Sequence, residues 1–198
     1  MTELIVANER RLLLDIAAAA IAEVLRSGRW RAPDLSVLPA ALRQPGATFV
    51  TLRREEQLLG CVGTLRAHRS LAVDVAVHAV GAAFEDPRLP AVTVADYSVM
   101  TIHVSMLGPL SEVVAESVTE LVEQVAAGVD GLLVEATARG LPRRATLLPS
   151  VWEQLPDPAQ FVSALWRKAG LPAGDWPRDI VVSGYRVVEL TDDGPRTL

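Results

Sequence analysis

The chain has 198 residues, of which half are hydrophobic and 22% are charged, and its formal net charge is −5. That balance fits a globular chain long enough to bury about 70% of its unfolded surface, and it excludes disordered, collagen-like and coiled-coil chains. The single cysteine, Cys61, excludes a disulfide scaffold, and the 19 basic residues, all arginine except Lys168, form no stripe of the kind that binds nucleic acid.

In chain order, Asn8 is placed to cap a first helix running to about Ser27. Leu12, Leu13, Ile16, Ala20 and Val24 follow helical spacing, and Gly28 is a natural stop. The apolar run Leu12 to Leu25 is broken by Asp15 and Glu23 and is shorter than the ~20 residues of a membrane span. Glu3 and Glu9 spoil the basic start of a signal peptide, so a cytoplasmic location is expected. Trp30–Gly46, with three prolines, reads as a loop with a short helix around Leu38–Leu42. Phe49–Leu52 and Leu58–Leu65 read as strands of a hairpin turning through Arg53–Gln57.

Ser70 is placed to cap a second helix, Leu71–Phe84, apolar nearly all round and therefore expected to be buried. Glu85-Asp86-Pro87-Arg88 breaks it, because a proline disfavours helix at the residue before it. Val99–Leu107 alternates, with Met100, Ile102, Val104 and Met106 on a core face and Thr101, His103 and Ser105 on a half-wet one. A third helix is expected from Val114 to Ala127, then strands Gly131–Thr137 and Ala145–Leu148 around a turn at Gly140-Leu141-Pro142. Pro158–Ala169 reads as a fourth helix with Gly170 as its C-cap, Ile180–Leu190 as a final strand, and the last eight residues as a frayed tail. Two hairpins among four helices give an α+β fold rather than a doubly wound sheet.

The segment of most chemical interest is Leu58-Leu59-Gly60-Cys61-Val62-Gly63-Thr64-Leu65. Glycine weakens a strand, so two glycines flanking the only cysteine mark a close approach to the backbone. Either Gly60, Gly63 and Thr64 clear a cleft for a ligand beside a reactive thiol, or Cys61 is a small buried side chain where another element crosses closely. A nucleophilic thiol wants a base. His68 follows the strand closely enough to fold back, and His103 lies on the polar face with Ser105. His78, in the middle of an apolar helix, reads as a packing residue. Arg88 either holds a small anionic ligand or pairs internally with Asp86. The chain carries no CxxC, HExxH, GxGxxG, P-loop or GxSxG, so no metal, nucleotide cofactor or hydrolase elbow of those kinds is expected.

Seven ordered segments resemble one family: Phe49–Leu52, Gly60–Thr64, Ala82–Arg88, Val104–Leu107, Gly128–Leu132, Leu148–Val151, and Lys168–Pro172 followed by Trp176. Over residues 8–190 the chain resembles the AMMECR domain family, and most closely its bacterial branch, AmmeMemoRadiSam system protein A. The resemblance implies an antiparallel or mixed sheet packed with helices in one compact domain of two unequal lobes. The larger lobe would be built from both chain ends and the smaller from the middle, leaving 1–7 and 191–198 as termini. It also implies the company of a Memo-type protein and a radical SAM protein in a modification pathway, with homodimerisation left open. The family's usual Leu-Arg-Gly-Cys-Ile-Gly has Leu59 in place of its arginine here. Two readings follow: a binding component that takes a ligand or docks a partner, with Trp30, Trp152, Trp166 and Trp176 as candidate contacts, or an enzyme centred on Cys61.

Overall fold

In the computed structural model, which describes residues 6–198, the first apolar stripe forms α1 (Ala7–Ser27). The helix begins two residues earlier than the Asn8 cap predicts. Val6 is the cap residue, and the Glu9 carboxylate reaches back to accept its N–H at 3.1 Å. Gly28 ends the helix in the left-handed conformation, at φ 71°, as its position predicts. The N-terminal residues 1–5, including Glu3, lie outside the described region.

The chain divides into two units, Met1–Leu107 with Val188–Leu198, and Gly108–Val187. In the first, a short helix α2 (Ala40–Arg43) leads into β1 (Pro45–Arg54) and β2 (Gln57–Gly63). A two-residue β3 (Arg69–Ser70) runs into helix α3 (Leu71–Phe84), whose limits match the sequence reading. Helix α4 (Val94–Val99), which the sequence reading passes over, is closed by a capping box. Thr93 accepts the Asp96 N–H, and the Asp96 carboxylate accepts the Thr93 N–H. Strand β4 (Thr101–Leu107) follows, and β9 (Val187–Asp192) completes a sheet in the order β2-β1-β4-β9, with β3 on β1.

Period two sorts this sheet's faces. Val50, Leu52, Ile102, Val104 and Leu190 are buried with the apolar sides of α1 and α3. The opposite face carries Phe49, Thr51, Cys61, His103, Ser105, Glu189 and Thr191. β1 begins inside the stretch predicted as loop, because Pro45 and Gly46 find partners in Ser70 and Arg69. The tail is not frayed: Arg196, its side chain largely buried, binds Asp192 at 2.9 Å and donates to the Met100 carbonyl, while its own N–H reaches Ser98.

The second unit has a sheet in the order β5-β8-β6-β7, from β5 (Ser111–Glu112), β6 (Gly131–Ala138), β7 (Leu141–Leu147) and β8 (Val181–Tyr185). The predicted final strand is therefore two, β8 and β9, in different sheets. The predicted third helix shortens to α5 (Val118–Gln124), because Ser117 caps it by accepting the Glu120 N–H, and Val113 is already bonded to Val182. The hairpin turn sits at Arg139-Gly140, both at positive φ, rather than at Gly140–Pro142. Helix α6 (Pro158–Ala169), capped by Asp157 and Gly170, packs its Phe161, Leu165 and Trp166 side into the core. Trp152 stacks on Phe161 with centroids 3.8 Å apart, and Trp166 stacks on Trp176. Trp152 and Trp166 are thus interior residues rather than surface contacts, each donating its indole N–H to a backbone carbonyl. Among the described residues, no helix is long and apolar enough to cross a membrane.

Candidate functional site

β2 is an edge strand, paired only with β1 in its sheet. Thr51 lies directly opposite Cys61 and donates its hydroxyl to Sγ at 3.3 Å. Edge position leaves the Cys61 N–H and C=O facing away from β1, and the turn after α3 supplies both partners. Asp86 accepts the Cys61 N–H at 3.0 Å, and Arg88 donates to the Cys61 carbonyl at 3.1 Å. Arg88 is held in turn by Asp86, through Nε at 2.8 Å and Nη2 at 2.6 Å. The Asp86 carboxylate also accepts the Arg88 N–H, forming a compact turn around Pro87. Arg88 therefore pairs internally; it is exposed, but its fork is engaged with Asp86 and with the strand.

The Arg88 side chain, and after it the Cys61 N–H, hold the Asp86 carboxyl well below the usual carboxylate range. A depressed folded-state value stabilises the protein above the unfolded value of 3.8, and this contribution is lost as pH falls from there through the lower folded value. The gap in thermal midpoint between the wild type and Asp86→Asn is therefore expected to be full at neutral pH and to shrink steadily below pH 3.8. A gap that stays constant into that acid range would show that the carboxylate is not what ties the turn to the strand.

The two glycines have partners within the chain. A Cβ at Gly60 would lie 1.8 Å from the carbonyl oxygen of Ala82 in α3, and one at Gly63 would lie 2.3 Å from the Phe49 ring. Gly81 gives α3 matching room against Val62. The close approach read from the glycines is thus that of α3 and of Phe49. The register of β1 on β2 shifts between Leu52 and Arg53, so Leu59 is an extra residue on β2. Leu59 is buried in the core cluster, at the position where the resembling family carries an arginine.

The histidines are not bonded to the thiol. His68, exposed, bonds the Thr64 hydroxyl through Nε2 at 3.2 Å. His103 lies opposite Thr51, on the same face as Cys61 but one strand further away, and bonds the Thr191 hydroxyl through Nδ1 at 3.2 Å. Burial pushes the His103 imidazole below its ordinary value, with Glu189 pulling the other way. Ser105 donates to Glu189 at 2.8 Å. The sheet face thus carries a polar row, Cys61–Thr51–His103–Thr191, and, one pleat along, a mixed one, Phe49–Ser105–Glu189. Thr51, Glu189 and Thr191 escape the sequence reading because only strand pairing brings them beside Cys61 and His103.

A second polar cluster lies on the buried face. Thr48 donates to Asp74 at 2.7 Å, and His78 Nδ1 lies 3.1 Å from the Thr48 hydroxyl and 3.2 Å from Asp74. The other Asp74 oxygen is 3.2 Å from Arg69 Nε, close enough for an ion pair though not aligned for a hydrogen bond. Because the Thr48 proton is already given to Asp74, the proton between these groups and His78 sits on Nδ1. The Asp74-to-His78 spacing of four was the signal in the sequence, since it stacks both on one helix face.

Comparison with known proteins agrees with this architecture. A family model described as AMMECR1 matches residues 14–190. A protein of Methanothermobacter thermautotrophicus is 37% identical over 83% of this chain and 84% of its own length. One from Thermofilum pendens is 33% identical over 86% of this chain and 83% of its own. The crystal structure of an uncharacterised protein from Pyrococcus horikoshii superposes with a TM-score of 0.83 at 28% identity, over 94% of this chain and 93% of that one.

Proposed function

Because this chain belongs to the AMMECR1 family, we propose that it serves as a non-catalytic binding component of a modification system that also contains a radical SAM protein and a Memo-type protein. The observation that carries this reading is the way Cys61 is held. Its N–H and carbonyl are tied to Asp86 and Arg88, and its sulfur takes a hydroxyl from Thr51. Neither His68 nor His103 bonds it, so no base is set to take its proton. Arg88, the candidate anion holder, is committed to Asp86. In this reading Leu59 fixes the strand to the core, and the two rows of the sheet face supply the contact surface.

The second reading, an enzyme using Cys61 as nucleophile, draws on one observation: Cys61, Thr51 and His103 lie in register on one face. A bound substrate could bridge that row, with His103 moving the proton.

Two measurements separate them. The chain, a Memo-type protein and a radical SAM protein from the same genome are mixed and run by analytical size exclusion. Co-elution of the chain with either partner, retained in Cys61→Ala, is expected. The iodoacetamide reaction of Cys61 should also be slower in the folded protein than in the urea-unfolded chain. Elution apart from both partners, or a folded thiol that reacts faster than the unfolded one, would overturn the binding reading; the second result would favour the nucleophile.

A further inference from the structure

The second unit holds a cavity of about 910 Å³ that none of the site residues above enters. Four arginines from four different elements contribute to its wall: Arg139 from the hairpin turn, Arg143 from β7, Arg167 from the last turn of α6 and Arg178 from the approach to β8. In a chain of net charge −5, this gathers positive charge in one place. Two aspartates share the wall, but neither neutralises it by pairing. Asp179 is held low by the Thr137 side-chain and backbone hydrogen bonds, and among the described residues no ion pair joins any of the four arginines to a carboxylate.

Arg143 supplies the second, independent observation. Its Nε is buried and has no hydrogen-bond partner among the described residues. A buried donor left unmet costs stability, and a small shift of the guanidinium toward an acceptor in the cavity would relieve it. The guanidinium is also placed closely: a Cβ at Gly170, which is held in the left-handed conformation at φ 71°, would lie 3.3 Å from Arg143 Nη1. The glycine that ends α6 thereby leaves room for the arginine.

Trp166 and Leu171 give part of the cavity lining an apolar character. A smaller cavity of about 300 Å³, lined by Val118 and Val122, shares Ser163, Trp166 and Ala173 with the larger one. One ligand could therefore place a charged end among the arginines and an apolar end against Trp166. Donors arriving from four elements suit a tetrahedral anion, whose oxygens accept from several directions, better than a planar carboxylate.

From the buried unmet Arg143 Nε, the four unpaired arginines and the adjoining apolar pocket, we propose that this cavity is a binding site for a small organic phosphate, an ester of phosphate carrying an apolar group. The site lies wholly in the second unit, so the proposal stands apart from the reading of Cys61.

The test is isothermal titration of the full chain with three probes: inorganic phosphate, phenyl phosphate and citrate. One-site binding of phenyl phosphate, tighter than phosphate and tighter than citrate, is expected. Arg143→Met should weaken it about tenfold or more, because a hydrogen bond to a charged group is lost. Arg167→Gln, an exposed change that spares the fold, should weaken it as well, whereas Arg29→Gln in the loop after α1 should leave it unchanged. Three outcomes would overturn the proposal. They are no heat from phenyl phosphate at millimolar concentration, citrate binding as tightly as phenyl phosphate, and equal weakening by Arg29→Gln, which would mark the binding as unspecific attraction to arginine.

Discussion

Replacing Gly60 with alanine is expected to lower the thermal midpoint by about 10 °C, or to leave the chain insoluble. The reason is geometric. The new methyl would sit 1.8 Å from the Ala82 carbonyl oxygen, well inside van der Waals contact, and the obstacle is helix backbone rather than a side chain that can rotate away. Relief requires moving α3 off β2, and α3 supplies much of the core: Ala72, Val75, Ala79, Ala82 and Ala83 are all nearly inaccessible. Overpacking of this kind costs about 3 kcal/mol or more where the structure cannot yield, and ~1 kcal/mol moves the midpoint of a chain this size by about 2–4 °C. Gly81→Ala is the useful contrast. Its methyl would meet a Val62 methyl at 3.2 Å, which can give by a few tenths of an ångström. Calorimetry of both variants checks the idea. If Gly60→Ala proved no worse than Gly81→Ala, β2 and α3 would not be packed through that glycine, and the glycines around Cys61 would again need another explanation.

Asp74→Ala should be comparably damaging. Asp74 is fully buried; its carboxylate accepts from Thr48, lies 3.2 Å from His78 Nδ1 and faces Arg69. Removing it leaves the Thr48 hydroxyl without its acceptor and the His78 ring without the carboxylate beside it, in a place that water does not reach. Breaking a buried charged arrangement by deleting one partner costs about 3–5 kcal/mol, so a fall of roughly 10 °C is expected. Asp74→Asn retains an acceptor oxygen of the same shape and should cost clearly less. Denaturant midpoints of the two variants, compared in the Thr48→Val background, test whether the residues act together. Effects that simply add, with no coupling between positions 48 and 74, would rule out a shared network.

The two clusters show what a linear sequence displays and what it hides. α3 was legible to the residue because an apolar run ends at Phe84 against Glu85-Asp86-Pro87, and proline excludes helix immediately before itself. Gly28 and Gly170 were legible as helix stops for the same kind of local reason. The start of β1 at Pro45 was hidden, because Pro45 and Gly46 are extended only through Ser70 and Arg69, some 24 residues on. The change of sheet at Arg186 was hidden because β8 and β9 are each ordinary strands, and their partners lie far away in the chain. At the candidate site, Cys61 and the Asp86-Arg88 turn could be singled out by residue type. That the turn clasps the backbone of Cys61 could not be read, since a contact across 25 residues leaves no periodic trace. His103 was found from its place on a polar face, but its neighbours Glu189 and Thr191 come from the other end of the chain.

The clasp on Cys61 has a consequence for how copies of this chain meet one another. A strand at the border of a sheet offers a template to any extended segment that drifts against it, and edge-to-edge pairing of this sort begins many aggregates. On β2 the outward-facing amide and carbonyl at Cys61 are already taken, by a carboxylate and a guanidinium that stand where an incoming strand would lie. A strand arriving there would have to displace a charged pair before it could bond to β2 at Cys61. The same three residues that shape the surroundings of the thiol thus also guard the middle of this edge strand against uninvited pairing.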